Sequence, residues 1–341
     1  MKIIINKKCF PFSSNGGTAI TTFEQGCLAS ENDETLVFNP KNFTFGNKKL
    51  IWGKFTLIEG NPLFLVSLII RRRYAIKSLF INSAFQFYGT LFALLGYFLK
   101  INIFWSAHGS FDRILFKGIK GKFNLLRFFV FDFPICFMCK EYVLVSDQEY
   151  NNLLNIVKRT INKFKVINNA PPEYMLSYIL DKNGLESISK IPYPKQIDCN
   201  QKKNYLLFIG RVVPKKMVLE TIRAFNLCKT FDLNFIIAHS NDAVNYLNIC
   251  KDEVIKLGLE KRVIFLKDVF GISKLSLIKY SKAGILLSES EGNPMFLQEC
   301  IMLRKKVIAS PSCNLKESKY LILCSEITQL FRSVEELLVS E

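Results

Sequence analysis

Ser288-Glu289-Ser290-Glu291-Gly292-Asn293-Pro294-Met295-Phe296-Leu297-Gln298-Glu299 follows directly on the apolar run Ala283-Gly284-Ile285-Leu286-Leu287. A short apolar run bounded by turn residues reads as a buried strand, and the residues after it read as a turn into a helix. Asn293 suits the N-cap. Pro294 suits the first helical turn, where a missing N–H forfeits no hydrogen bond. Strand, glycine turn and helix N-terminus together predict an anion site, with backbone donors from Gly292 onward aimed at a phosphate and the helix dipole favouring its charge. Glu291 stays in the loop beside whatever the phosphate carries. Glu299 falls near the second helical turn, where it can accept hydrogen bonds from hydroxyls of the same ligand. A phosphate next to hydroxyl-rich groups is the chemistry of a nucleotide sugar.

Outward from this stretch, apolar strand candidates alternate with helical segments on both sides. Downstream of residue 204 they are 205–209, 234–238, 263–266, 284–287, 307–309 and 321–323; upstream they are 2–6, 35–38, 80–82, 101–105, 142–146 and 164–167. Such alternation predicts parallel, doubly wound sheets with ligands at the carboxyl ends of their strands. The polar segment 196–204, after Pro192 and Pro194, reads as a linker. The expected division is therefore residues 1–198 and 199–341, two Rossmann-like α/β domains facing across a cleft. The run 79–99 has no charged residue and is long enough to cross a bilayer. Asn82, Ser83, Gln86, Gly89 and Gly96 interrupt it, so it reads as a strand to residue 82, a turn, and a buried or interfacial helix over 87–99.

Composition bounds the function classes. With 341 residues and 49% hydrophobic content, two medium cores are within reach. The ten cysteines lack the paired spacing of a secreted framework and no signal-like segment precedes them, which points to a reducing cytoplasm. Cys136-Phe137-Met138-Cys139 reads as core packing, because a zinc site needs two further ligands and the chain has two histidines, His108 and His239; no metal is expected. The net charge of +17 is concentrated in the first half: residues 1–199 hold 25 Lys plus Arg against 14 Asp plus Glu, and residues 200–341 hold 21 against 15. Basic residues mix with apolar ones at Arg71-Arg72-Arg73-Tyr74 and from Lys117 through Lys120, Lys122 and Arg127 into Phe128-Phe129-Val130-Phe131. Each cluster fits either adsorption to an anionic membrane or an ordinary solvated face.

The pair Glu291 and Glu299, set in Glu-Gly-Asn-Pro, resembles the signature of retaining glycosyltransferases of family 4, which have the GT-B fold. Tyr205-Leu206-Leu207-Phe208-Ile209-Gly210 followed by Arg211-Val212-Val213-Pro214-Lys215-Lys216 is similar to that family's Gly-Arg-x-x-x-x-Lys loop. Met217 stands where the family usually has glycine, a departure expected to be slight at a position that opens a helix. Gly16-Gly17 resembles the glycine loop that closes over the donor phosphates, and Ile103 to Gly109 resembles the strand ending in His-Gly. Val143 to Glu149 is similar to the following strand and helix start, with Ser146 as N-cap and Glu149 completing a capping box. Beyond Ser310 the resemblance weakens.

What the resemblance implies is transfer of a sugar from a nucleoside-diphosphate donor to an acceptor hydroxyl with retained configuration. Arg211 and Lys216 would hold the diphosphate, Glu291 the sugar hydroxyls and Glu299 the ribose, with His108 at the reaction centre; Gly16, Gly17, Gly210, Gly292 and Asn293 would complete the donor site. No metal or cofactor is implied beyond the nucleotide-sugar co-substrate. The acceptor side points to a glycan or lipid-linked acceptor in polysaccharide or lipopolysaccharide synthesis, at the cytoplasmic face of the cell membrane. Another GT-B enzyme, an epimerase or a phosphorylase, is the alternative. A nucleic-acid-binding protein is a further one, although no recognition motif accompanies the charge.

Overall fold

A computed structural model describes residues 1–6, 29–41, 47–82, 87–107, 118–157, 164–167, 191–194, 204–240, 243–291 and 294–339, together with Thr22, Gly26, Phe111 and Phe116. The chain divides into two compact units, Met1–Ala170 and Pro171–Glu341. That division falls upstream of the expected 198/199 boundary. Residues 191–193 belong with the second unit: Ile191 is buried there, the Pro192 carbonyl accepts from Ser276, and the rings of Tyr193 and Tyr280 meet edge to face at 5.0 Å.

The N-terminal unit is built on β1 (Lys2–Ile5), β2 (Thr35–Pro40), β3 (Lys48–Trp52), β4 (Phe55–Gly60), β5 (Ser78–Asn82), β6 (Asn102–Ser106), β7 (Glu141–Leu144) and β8 (Phe164–Val166). They form one sheet in the order β3-β4-β2-β1-β5-β6-β7-β8, parallel except for β3 against β4. Successive residues of β1 are buried on both faces, with Ile3, Ile4 and Ile5 at most 2% exposed, as a parallel strand between two helical layers requires. Helices α1 (Pro62–Arg71), α2 (Phe87–Phe98), α3 (Gly118–Arg127), α4 (Phe133–Met138) and α5 (Asp147–Val157) connect the strands. The apolar run 79–99 is thus a strand and a 12-residue helix, and among the described residues no helix is long and apolar enough to cross a membrane.

Two strands lie where the sequence predicts none, between residues 38 and 80. β3 and β4 form an antiparallel hairpin whose turn is carried by Gly53 at φ 55°. β3 is an edge strand, and its Lys48 and Lys49 keep that edge charged and hydrated. Between α3 and α4 the helix widens into a π turn over Phe128–Asp132, where the Phe133 N–H reaches the Phe128 carbonyl. Pro134 is the cause: it has no N–H to donate, and its ring would meet the Val130 carbonyl in a continuous α-helix. At the start of α5, Ser146 Oγ accepts from the Glu149 N–H at 3.1 Å. The Glu149 carboxylate reaches the Val145 N–H at 2.9 Å, one residue further back than a capping box would place it. Cys136 and Cys139 are buried in the core, as expected of packing residues.

The C-terminal unit holds β9 (Tyr205–Gly210), β10 (Asn234–His239), β11 (Val263–Lys267), β12 (Ala283–Leu286), β13 (Lys306–Ala309) and β14 (Leu321–Leu323). All six match the strands expected from the sequence. They lie parallel in the order β11-β10-β9-β12-β13-β14. The chain therefore winds one way from β9 and the other way from β12, which makes the gap between the carboxyl ends of β9 and β12 the topological switch point. Helices α6 (Val218–Phe225), α7 (Val244–Lys256), α8 (Gly271–Tyr280), α9 (Met295–Met302) and α10 (Leu330–Val339) cover the sheet. Close packing of α9 on β12 depends on Gly284, where a Cβ would come within 2.7 Å of Cys300 Sγ and 3.1 Å of the Phe296 ring. Gly284→Ala is expected to lower stability by about 1–3 kcal/mol, with part recovered in Gly284→Ala/Cys300→Ala; equal denaturation midpoints for parent and Gly284→Ala would contradict this packing.

Candidate functional site

Of the residues singled out in the sequence, Gly210, Arg211, Lys216 and Glu291 lie at the switch point of the C-terminal sheet. β9 ends at Gly210, and residues 211–213 lead into a 3-10 turn, Pro214–Lys216, before α6. On the adjacent strand, β12 leads into the loop 287–294 and then α9. The two loops are bonded to each other. The Glu289 N–H donates to the Lys215 carbonyl at 2.9 Å, and Lys216 Nζ lies 2.8 Å from Glu291 Oε1. Both side chains of that pair are largely buried, at 16% and 15% exposure. Ser288 Oγ has the Lys215 and Ser290 carbonyls and Glu291 Oε1 within 3.0–3.3 Å, so its single proton chooses among three acceptors.

On its other flank the Glu291 loop is tied to the chain after β13. The Glu291 N–H donates to the Ser312 carbonyl at 2.9 Å, and Asn314 Nδ2 donates to the Glu291 carbonyl at 2.8 Å. The hydroxyls of Ser310 and Ser312 both donate to the Ser288 carbonyl. Glu291 is thus held through its own backbone on one side and through its side chain on the other. Sequence reasoning missed Ser288, Ser312 and Asn314. The available signal was the run of turn formers Ser310-Pro311-Ser312-Cys313-Asn314 at a strand's carboxyl end.

Glu299 lies on α9 but does not join the Lys216–Glu291 pair. Its side chain is fully buried, and its carboxylate meets Lys274 of α8, with Nζ 2.6 Å from Oε1 and 2.5 Å from Oε2. Only the bond to Oε1 has hydrogen-bond geometry, and Oε2 has no directional partner. Lys274 was not anticipated, because nothing in the local sequence of α8 separates it from an ordinary surface lysine. Arg211 follows Gly210 directly, is exposed, and forms no ion pair among the described residues. His239, at the end of β10, is buried. His108, Gly16, Gly17, Gly292 and Asn293 lie outside the described residues.

Two local expectations are corrected. The N-cap of α9 is Pro294 itself, at φ −73° and ψ 95°, and Met295 is the first helical residue. The helix starts one residue later than Asn293 would place it. The Pro294 carbonyl accepts from the N–H groups of Leu297 and Gln298 at 3.1 and 3.3 Å. Met217 is not the first residue of α6 but its N-cap, held left-handed at φ 48° and ψ 37°. Loss of glycine there is therefore not slight, since a side chain in that region costs about 1 kcal/mol or more. The conformation persists because the Met217 carbonyl accepts both the Thr221 N–H and its hydroxyl.

The family model for glycosyl transferases group 1 matches residues 189–319, the segment that holds both lysine–glutamate pairs. No curated protein matches the chain. Among solved structures, the chain is similar to Anabaena Alr3699/HepE in complex with UDP and glucose, at 15% identity and a TM-score of 0.69 over 99% of this chain and 90% of that one. It is similar to the trehalose-6-phosphate synthase OtsA at 11% identity and a TM-score of 0.72, over 100% and 91%. It is also similar to sucrose-phosphate synthase from Thermosynechococcus elongatus at 14% identity and a TM-score of 0.72, over 99% and 89%.

Met217→Gly is expected to raise stability by about 1 kcal/mol, read as a higher denaturation midpoint; an unchanged or lower midpoint would show that the left-handed residue carries no strain. Lys274→Met leaves the buried Glu299 carboxylate unpaired and is expected to lower stability by about 3 kcal/mol. Lys274→Met/Glu299→Leu should recover most of that loss, and a double variant no more stable than Lys274→Met would contradict the pairing.

The chain has the GT-B fold of two Rossmann-like units, and the match of residues 189–319 to the glycosyl transferases group 1 model supports glycosyltransferase activity.

Proposed function

We propose that the protein is a retaining glycosyltransferase that moves a sugar from a nucleoside diphosphate to an acceptor hydroxyl. The Lys216–Glu291 pair at the β9/β12 switch point carries this reading. An incoming diphosphate competes with Glu291 for the Lys216 ammonium, and the carboxylate released from that pair is placed to accept hydroxyls of the donor sugar. Exposed Arg211 adds a second cation from the same loop. As the bond from the anomeric carbon to the diphosphate oxygen breaks, charge grows on the leaving phosphate, and fixed cations stabilise it more than they stabilise the ground state. The new bond forms from the acceptor oxygen to the same face of that carbon, and the acceptor proton passes to the leaving phosphate, so no protein base is needed.

Further roles follow the family resemblance. Glu299 binds the ribose hydroxyls, which requires them to share or replace Lys274 at its carboxylate. His108 lines the reaction centre. Gly16 and Gly17 in the N-terminal unit, and Gly210, Gly292 and Asn293 in the C-terminal unit, let backbone approach the donor. The N-terminal unit serves the acceptor and the C-terminal unit the nucleotide sugar. The complex of Alr3699/HepE with UDP and glucose supports a nucleotide-sugar donor. The acceptor is a glycan or lipid-linked saccharide of surface polysaccharide or lipopolysaccharide synthesis, met at the inner face of the cell membrane by a peripheral cytoplasmic protein.

A thermal-shift screen of nucleotide sugars selects the donor, and transfer of its radiolabelled sugar to membrane extracts tests the reaction. Lys216→Ala is expected to lower turnover by about 10²- to 10³-fold, and Glu291→Gln to lower turnover while nucleoside-diphosphate binding is tightened, since the competing carboxylate is gone. Epimerised free nucleotide sugar without a labelled glycan, or parental turnover in both variants, would overturn the assignment.

A further inference from the structure

The N-terminal unit has a layer of helices whose outer surface the donor site does not use. The connections β4 to β5, β5 to β6 and β6 to β7 all cross the sheet in the same direction, so right-handed crossovers put α1, α2 and the α3–α4 segment on one face. They pack side by side in that order, α1 on α2 and α2 on the π turn and α4. Thr90 of α2 donates to the Phe131 carbonyl at 2.7 Å, and the Phe87 and Phe131 rings meet edge to face at 6.3 Å.

The outward side of this layer is apolar. On α2, Phe87, Tyr97 and Phe98 are exposed, Phe98 by 75%. On α3 and the π turn, Phe123, Leu126 and Val130 are exposed at the spacing i, i+3, i+7 that makes one helical stripe, Phe123 by 64%. The surroundings are cationic: Lys100, Lys122, Arg127 and Lys140 are exposed, and Arg71–Arg73 stand at the end of α1. Residues 87–140 contain seven Lys and Arg against two acidic residues, and one of those, Asp132, is buried. Exposed aromatics along one helical layer mark an interaction surface, and the cations among them select a negatively charged partner.

We infer that the exposed face of α2 and α3–α4 is the surface by which this protein lies on an anionic lipid bilayer. The inference rests on the peripheral-membrane part of the proposed function and assigns it to one face. Aromatic rings enter the headgroup boundary while the lysines and arginines stay in the plane of the phosphates. The two basic clusters read separately in the sequence then become one surface, with α2 between them.

Co-sedimentation with vesicles of equimolar phosphatidylglycerol and phosphatidylcholine tests this, with phosphatidylcholine vesicles as the neutral arm. The parent chain is expected to bind the anionic vesicles and to release as salt rises. Phe98→Ser/Phe123→Ser/Leu126→Ser should lower the partition coefficient about tenfold or more, and Lys122→Gln/Arg127→Gln about fivefold per cation, with a flatter salt dependence. Unchanged circular dichroism and an unchanged donor-induced thermal shift in both variants would keep these effects apart from misfolding and from the donor site. If the parent chain ignores anionic vesicles, the peripheral-membrane reading itself falls. If parent and triple variant bind alike, that reading stands and this face is wrong. A parental dimer that the triple variant dissociates in sedimentation velocity would assign the face to a second copy of the chain and overturn the proposal.

Discussion

The Lys216 ammonium, 2.8 Å from the Glu291 carboxylate, joins the two loops that leave the C-terminal sheet in opposite winding directions. A switch point by itself is only a gap between diverging connections. Here the gap is given fixed walls by that ion pair and by the Glu289 N–H on the Lys215 carbonyl. A pair this far from water contributes little net stability, because desolvation of both charges offsets most of their attraction. Its consequence is positional: each group is held in place at the switch point by the other.

The second pair, Lys274 with Glu299, obeys the same electrostatics under heavier burial. A carboxylate with no exposure needs a cation beside it or a proton on it. With Lys216 and Lys274 each matched to a glutamate, exposed Arg211 stands unneutralised among the described residues at the carboxyl end of β9. Gly284 lets α9, the helix that carries Glu299, pack closely on β12.

Much of this was legible in the residue order. Long apolar strands with glycine or polar ends identify themselves, and β9 to β14 fall where their composition puts them. The β3–β4 hairpin did not, because its edge strand sets two lysines beside apolar residues without a clear alternation and Gly53-Lys54 is a short turn signal. At the site, Glu291 and Lys216 were visible as members of two motifs, whereas Lys274 was not, because it meets Glu299 from a helix 25 residues away in sequence. Capping chemistry named the right segments and missed the registers. Pro294 takes an extended conformation before α9, which its ring-fixed φ allows, and Met217 a left-handed one before α6, held by the bonds of Thr221 to its carbonyl.

Local sequence determined what is short-range: which segments are strands or helices, where apolar faces lie, and that a basic loop and an acidic loop each follow a strand of one parallel sheet. These depend on side-chain periodicity and on turn residues a few positions apart. Tertiary structure decided which charges meet. Lys216 is 75 residues from Glu291, and Lys274 is 25 from Glu299. The aromatic helices α2 and α3–α4 become one face only through the direction of their crossovers. Such contacts depend on strand order and handedness, and no window of the sequence contains the two partners together.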